Sequence, residues 1–281
     1  MKNLALLLLL FPLLSKSQQA GDEVTAPAQA QATLNGWSEE LQRHYQAGQF
    51  LWLEADDGRA LLKFPNQFKI TYGKILVISD PTIANDHFTE LTQQLNSLGW
   101  HVYLLIQDPN ASVASENWLN AINRSVDTIE AEGSDELFLF LMPLSSSRWI
   151  HWHADGEQRD KLLTDENIAE ELKITEQQRQ LLANLTPKIS TTVFYLPYLP
   201  QHHQATLQSL TSITTNTPWL IISNEKVMQQ AAPTLAMIVK QQNIDLIRRD
   251  DLTLGSQLSD QLTLIMHLHG YLKTLTLQLA K

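Results

Sequence analysis

The sequence predicts a single three-layer α/β domain, in which an N-terminal antiparallel hairpin leads into a mostly parallel sheet covered by helices. Two observations support this prediction. Short apolar runs alternate with amphipathic helical segments along the chain, and this alternation is typical of parallel strands joined by crossover helices. The runs are apolar at nearly every position, which indicates strands buried on both faces.

The hairpin is predicted from two apolar runs around a turn. Phe50–Leu53 and Ala60–Phe64 lie on either side of Asp56-Asp57-Gly58. An Asp-Gly pair between two such runs is a hairpin signal, because glycine readily adopts a positive φ. We therefore expect two antiparallel strands before the parallel part of the sheet.

Six further apolar runs predict the rest of the sheet: Lys74–Ile78, Trp100–Ile106, Leu137–Met142, Thr192–Leu196, Trp219–Ile222 and Ile244–Ile247. Apolar residues at helical spacing lie between and after these runs. They predict five helices. The first is capped by Asp86 and ended by Gly99, and the second runs from Trp118 to Gly133. The third passes through Leu207 and Leu210, the fourth runs from Leu235 to Val239, and the fifth runs from Leu258 to Leu275.

One connection is much longer than a single crossover helix requires. It runs from residue 143 to residue 190, and we expect an insertion at about 149–188 that is rich in acidic residues. Thr175 and Gln178 form the pattern of a capping box for a helix in its second half. Long connections are often lids or binding loops, and the alternative is a solvated acidic excursion without a role.

The N-terminal residues predict export. Lys2 precedes an apolar run of eleven residues, Leu4–Leu14, and small or polar residues follow it up to Ala20. This is the layout of a secretory signal peptide, and the run is short for a membrane-spanning helix. We therefore expect a signal peptide at 1–20, a flexible Ala/Gln-rich linker at 21–36 and a periplasmic domain at 37–281, with no integral membrane span once the signal is removed. The alternative is an uncleaved anchor.

Charge and composition limit the partners. Residues 1–20 hold two Lys and no acid, so the remainder carries 18 basic against 30 acidic side chains. Such a chain repels phosphate backbones, so nucleic acid is not an expected partner. The absence of cysteine excludes disulfides and thiolate chemistry.

Four short motifs resemble an uncharacterised bacterial family of α/β-hydrolase-like envelope proteins, a family defined by a domain of unknown function. They are Leu95-Asn96-Ser97-Leu98-Gly99-Trp100, Tyr198-Leu199-Pro200-Gln201, Thr217-Pro218-Trp219-Leu220-Ile221 and His269-Gly270-Tyr271-Leu272. The resemblance covers roughly residues 50 to 275. It implies an α/β-hydrolase-like fold and a place in the cell envelope, and it says little about chemistry because the motifs are mostly structural.

A serine hydrolase of this fold carries its nucleophile on a strained turn between a strand and a helix, flanked by small residues. After the strand that ends at Met142 the chain gives Pro143-Leu144-Ser145-Ser146-Ser147. Ser145 is the candidate nucleophile, with Pro143 and Ser147 in the places of the two glycines. Proline fixes φ and is a poor replacement for glycine. The alternative is that these serines cap the next helix.

The other catalytic groups are altered or absent in the sequence. Ser79-Asp80-Pro81 occupies the region of the oxyanion hole, where proline has no N–H to donate. Glu225 is the candidate acid after the strand that ends at Ile222. No histidine follows the last strand in residues 248–255, and His267 and His269 fall inside the closing helix.

The histidines do not predict a metal site. His151 and His153, like His267 and His269, are two residues apart, which puts them on different sides of a helix. No cofactor and no metal is therefore expected. Trp149 and Trp152 beside the candidate nucleophile predict either a hydrophobic cover for the sheet or an aromatic wall for a ligand.

Three functions remain open from the sequence. The first is an exported hydrolase-like protein, in effect a pseudoenzyme, that binds a small ligand or a protein partner in the envelope. The second is a divergent esterase-like serine hydrolase that uses Ser145 with a base such as His151 or His202. The third is a structural subunit of an envelope complex.

Overall fold

The structure is a computed structural model. It describes residues 43, 50–54, 59–64, 68, 71–79, 85–107, 115–133, 135–154, 160, 164, 172–196, 217–223, 244–248 and 262–279. Several predictions lie outside these residues: the signal peptide and linker at 1–36, the helices around Leu207 and from Leu235 to Val239, and most of the acidic part of the insertion.

An eight-stranded sheet forms the centre of the fold, with the strand order β1-β2-β4-β3-β5-β6-β7-β8. The strands are β1 Phe50–Glu54, β2 Arg59–Phe64, β3 Lys74–Ile78, β4 His101–Gln107, β5 Leu137–Leu141, β6 Thr191–Leu196, β7 Trp219–Ser223 and β8 Ile244–Arg248. β2 is antiparallel to both of its neighbours, β1 and β4. The other pairs, from β4 through β8, are parallel. The predicted hairpin leading into a parallel sheet is therefore confirmed.

Five α-helices are described. They are α1 Asn85–Ser97, α2 Ser115–Glu130, α3 Pro143–Trp152, α4 Glu176–Leu185 and α5 Leu262–Leu279, and a short 3₁₀ turn, Thr186–Lys188, follows α4. In the part of the chain that the structure describes, no helix is long and apolar enough to cross a membrane.

The central strands are buried on both faces, as their unbroken apolar runs predict. Every residue of β3, β5, β6 and β7 is buried. One face packs with residues of α2, α3 and α4, among them Trp118, Ile150 and Leu182, into a single apolar cluster. On the other face α1 contacts α5, whose Ile265, Leu268 and Leu272 are buried. The three-layer arrangement follows from this double coverage.

Of three predicted helix boundaries, the structure confirms two and contradicts one. Gly99 ends α1 as predicted: its φ is 98°, and the backbone N–H of Trp100 returns to the Leu95 carbonyl. Asp86 was expected to cap the same helix, and this is wrong, since α1 already begins at Asn85. The capping box is confirmed, with Gln178 N donating to Thr175 Oγ1 at 3.2 Å and Thr175 N donating to Gln178 Oε1 at 2.7 Å.

Lys74 joins the amino-terminal edge of the sheet to the end of α2. Its side chain is buried, although it stands at the first position of β3. Nζ donates to the carbonyl oxygens of Ile129 at 2.9 Å and Gly133 at 2.8 Å. Carbonyl groups at a helix C-terminus lack intrahelical partners, and the helix dipole favours a cation there. Lys74 therefore caps α2 from a strand that is distant in sequence.

Replacing Lys74 with methionine should lower the free energy of unfolding by about 2 kcal/mol, because the buried carbonyl of Ile129 and the partly buried carbonyl of Gly133 lose a charged donor. Chemical denaturation measures the loss. The matched control is Lys63→Met on β2, whose Nζ lies 2.6 Å from Glu132 in a pair that is more than one-third exposed on both sides. An exposed pair contributes less than about 1 kcal/mol, so equal losses in the two variants would contradict the capping role.

Candidate functional site

The junction between β5 and α3 is the place where this fold carries a nucleophile. β5 ends at Leu141 and α3 begins at Pro143, so Met142 alone separates them. Met142 is the N-cap residue, with φ −77° and ψ 170°, which is ordinary extended backbone. Among the described residues, positive φ values occur only at Gly73, Gly99 and Gly133. The strained turn that presents a nucleophile is therefore replaced at this junction by an unstrained passage from strand to helix.

Ser145, the predicted nucleophile, lies in the first turn of α3 and is only 2 % exposed. No hydrogen bond involving its hydroxyl is present in the described part of the chain. The two serines after it are bound to the backbone: Ser146 Oγ donates to the Leu141 carbonyl at 2.8 Å, and Ser147 Oγ donates to the Pro143 carbonyl at 3.1 Å. The role of Ser145 as a nucleophile stays a prediction.

The expectation that these serines cap α3 is wrong. The N-cap residue is Met142, and no side chain caps the helix start. The hydroxyls of Ser146 and Ser147 donate to preceding carbonyls, whereas a capping side chain accepts from an N–H group. Pro143 explains the difference, because proline favours the first helical position and starts the helix ahead of the serines.

Two of the described histidines, His153 and His269, are hydrogen-bonded to groups other than Ser145. His153 ends α3, with Nδ1 2.8 Å from the Trp149 carbonyl and Nε2 3.2 Å from Thr186 Oγ1. His151 is completely buried on the same helix. His269 Nδ1 accepts a hydrogen bond from Trp100 Nε1 at 3.1 Å. Within the described ranges no imidazole is hydrogen-bonded to Ser145, and His202 lies outside them.

His267 and His269 lie inside α5, as the sequence predicts. His269 contacts Trp100, which immediately precedes β4, so this histidine is at the amino-terminal edge of the parallel sheet. Ser145 follows the carboxyl end of β5, at the opposite edge. A base at the position of His269 is therefore at the opposite edge of the sheet from Ser145.

The remaining candidates lie partly outside the described residues. β7 ends at Ser223, so Glu225 would follow it by two residues, but Glu225 itself is not among the described residues. The same holds for Asp80 and Pro81, and for residues 249–255 after β8. Ser79 is described: it is buried, and its N–H donates to the Leu105 carbonyl at 3.0 Å. Among the described residues, no cluster of three or more His, Asp or Glu could hold a metal ion.

The tryptophans beside Ser145 form a hydrophobic cover for the sheet. Trp149 and Trp152 are both completely buried. The ring of Trp152 meets Trp118 edge-on at 5.2 Å between centroids, and its Nε1 donates to the Leu172 carbonyl at 3.1 Å. The predicted cover is therefore confirmed, and these rings are packed into the core.

Two buried arginines near this edge were not predicted. Arg59 is 1 % exposed at the start of β2, where it pairs with Gln107, the last residue of β4. Arg148 is 2 % exposed on α3, and its guanidinium carbon lies 5.7 Å from the centroid of the Trp118 ring. Arginine is rarely buried, and neither position carries a sequence signal that distinguishes it from a surface arginine.

His153 is held in an aromatic enclosure between α3 and β7. Its ring lies 5.1 Å from Trp149 and 5.4 Å from Trp219, edge-on to the latter. Burial lowers the pKa of His153 to about 4; the hydrogen bond with the Trp149 carbonyl opposes this shift and the Arg179 guanidinium adds to it. A neutral imidazole with both nitrogens engaged is a structural group, and it is not poised to serve as a base near pH 7.

The sheet is similar to that of α/β-hydrolases of known structure. Brefeldin A esterase, described as a bacterial homologue of human hormone-sensitive lipase, matches with a TM-score of 0.54 and 9 % identity over 90 % of this chain and 87 % of the esterase. Est1E from Butyrivibrio proteoclasticus matches with a TM-score of 0.48 and 12 % identity over 83 % of this chain and 100 % of its own. At 9 % identity the likeness to brefeldin A esterase shows the fold alone: the chain has the α/β-hydrolase fold.

The sequence itself matches no family model and no curated protein. Membership of an uncharacterised envelope family therefore stays a prediction. The structural likeness does not extend to chemistry, because function in this fold depends on particular side chains at the carboxyl edge of the sheet.

The partly buried His153 should make the protein less stable as the pH falls. Its folded pKa is below the unfolded value, so the unfolded chain binds the proton first, and stability present above about pH 6.5 is lost as the pH falls towards 4. The shift corresponds to about 3 kcal/mol. The variant His153→Phe should lack this part of the pH dependence, as measured by denaturation at a series of pH values.

The control for this prediction is His267→Phe, at a position exposed on α5. It should retain the wild-type pH dependence, because its side chain is accessible to water in the folded chain as well as in the unfolded one. If His153→Phe and His267→Phe give the same slope of stability against pH, His153 is not the buried neutral group described above.

Proposed function

We propose that this protein is an exported member of the α/β-hydrolase fold that does not hydrolyse esters and instead binds a small ligand or a protein partner in the cell envelope. The observation that carries the proposal is the junction at Met142. An unstrained backbone there supports the loss of the nucleophile-bearing turn, since the chemistry of this fold depends on that turn.

The surroundings of Ser145 support the same conclusion. Its side chain is almost completely buried, and no described imidazole is hydrogen-bonded to it, since His153 and His269 make their hydrogen bonds with other groups. A serine hydroxyl without a base is a weak nucleophile at neutral pH. The sequence adds Asp80-Pro81 in the oxyanion region and no histidine in residues 248–255. Removing a single oxyanion donor already costs about 10²–10³-fold in kcat, so several losses together leave little activity.

A divergent esterase is the second candidate, and one observation favours it. Ser145 is kept in the first turn after β5, and unlike Ser146 and Ser147 its hydroxyl is not bound to a described backbone carbonyl. Glu225 would then be its acid. The base would come from residues such as His202, because His153 and His269 are hydrogen-bonded elsewhere.

Labelling with a fluorophosphonate probe separates the two candidates. We expect no labelling of the purified protein and no p-nitrophenyl ester turnover above that of Ser145→Ala. Ser147→Ala is the matched control, because it removes a serine hydroxyl from the same helix, two residues after Ser145. Labelling that persists in Ser147→Ala and disappears in Ser145→Ala would overturn the proposal in favour of the esterase.

We infer export from the apolar run in residues 1–20, and a separate experiment tests it. When the whole chain is expressed in a Gram-negative host, we expect the periplasmic fraction to contain a shortened protein that begins after Ser17 or Ala20, as determined by intact mass. Replacing Leu7 and Leu9 with aspartate should abolish processing, because the apolar run is what the export machinery recognises. A full-length product that stays with the membrane fraction would indicate the uncleaved anchor.

A further inference from the structure

The closing helix α5 has two different faces. Its inner face is buried through Ile265, Leu268 and Leu272. Its outer face carries a stripe that consists of Met266, Gly270, Thr274 and Leu277, which we call the α5 stripe. Spacings of three and four residues put these positions on one side of a helix. Met266 is 46 % exposed and Leu277 is 56 % exposed, and Gly270 and Thr274 between them are also exposed.

The α5 stripe has no acidic residue beside it on its own helix, in a strongly acidic chain. The whole chain has a formal net charge of −10, but the segment Leu262–Leu279 contains no Asp or Glu and a single Lys. That residue, Lys273, is on the same side of the helix by its spacing from Gly270 and Leu277, and its Nζ lies over the ring of Tyr72, 4.7 Å from the centroid. Like charges repel at close range, so a helix without acidic groups is a surface where two acidic copies can meet without that repulsion.

The order of side-chain sizes along the stripe is symmetric. From one end to the other it runs large, small, small, large: Met266, Gly270, Thr274, Leu277. A two-fold axis at the level of residue 272 would bring Met266 of one copy beside Leu277 of the other, and Gly270 beside Thr274. No atom lies within 4 Å of a Cβ placed on Gly270, so the middle of the stripe is open to a second helix. The separation of packed helices depends on the side chains at their contact, and small residues allow a close approach.

We propose that the protein forms a two-fold symmetric homodimer in which the α5 stripe of one copy packs antiparallel against the α5 stripe of a second copy. A two-fold interface uses the same patch on both subunits and must be self-complementary, which the symmetric order of sizes provides. A lipid surface has no need of such symmetry, and anionic lipids disfavour an acidic protein whose helix offers one lysine.

The size of the contact sets its expected strength. An 18-residue helix is about 27 Å long. One helix pair buries less than the roughly 800 Å² per partner of a standard stable interface. The dimer is therefore a weak one that forms at concentrations on the order of micromolar and dissociates on dilution.

Sedimentation velocity over a concentration series tests the dimer directly. The exported chain should shift from monomer to dimer as its concentration rises, and Gly270→Leu should remain a monomer at every concentration, because the added side chain separates the two helices. Leucine also favours a helix more than glycine does, so the variant should be at least as thermally stable as the wild type. Gln93→Leu, at an exposed position of α1, adds a leucine away from the stripe and should still dimerise.

Cysteine cross-linking tests the orientation, since the chain has no cysteine of its own. Met266→Cys combined with Leu277→Cys should give a disulfide-linked dimer under mild oxidation, and Met266→Cys alone should not. The two positions are 11 residues apart, about 16 Å along a helix, which is too far for a bond within one chain.

Three outcomes would overturn the proposal. One is a wild-type protein that stays monomeric at all concentrations. Another is equal cross-linking of the single and double cysteine variants, which would indicate random collision. The third is a monomer that floats with phosphatidylcholine vesicles, which would assign the α5 stripe to a lipid surface.

Discussion

Burial of the central strands on both faces is the constraint on which the rest of this structure depends. Every residue of β3, β5, β6 and β7 is buried, so helices must cover the sheet above and below. A polar group buried inside such a sheet without a partner costs free energy. Polar chemistry is therefore confined to the two edges where the strands begin and end, and a ligand in an open parallel sheet binds at the carboxyl edge.

The amino-terminal edge is used for structural contacts. Lys74 caps α2, Tyr103 Oη donates to Glu132 at 2.6 Å, and Trp100 donates to His269. Each of these contacts ties a strand, or the residue just before it, to a helix or to the turn that follows a helix. Burial and the hydrogen bond to Glu132 raise the pKa of Tyr103 well above its ordinary value, which keeps the phenol a donor. The structural role of this edge leaves the carboxyl edge as the place where function can vary.

At the carboxyl edge, the most informative feature is the unstrained backbone at the junction between β5 and α3. Backbone held in a sparsely populated conformation costs about 1–3 kcal/mol, and natural proteins keep it where function requires it. Here β5 continues into α3 through Met142 in ordinary extended geometry. The unstrained junction is therefore the observation on which the proposed loss of ester hydrolysis depends.

The sequence predicts those features that depend on neighbouring residues. Apolar runs such as Leu137–Met142, the glycine stop at Gly99 and the capping box at Thr175 are local, and all appear in the structure. The start of α3 also follows a local preference, since Pro143 is a favoured first residue of a helix, and interpreting Pro143 as the replacement for a glycine in a degraded turn overlooks this preference. The burial of Arg59 and Arg148, and the contact between Trp100 and His269 across 169 residues, depend on packing between distant segments, which no local pattern reveals.

The contact between Trp100 and His269 also determines which side of α5 faces outward. Together with the buried Ile265, Leu268 and Leu272, it fixes the rotation of the helix about its own axis. Met266 and Leu277 then contribute little to the core, because about half of each side chain is exposed, and polar residues at these positions would cost the fold little. Exposed apolar surface promotes association, so this side of α5 is suited to contact with another surface. Because His269 lies at the amino-terminal edge, an α5 contact with a second copy would not need the carboxyl ends of the strands, and both surfaces could be used in the same molecule.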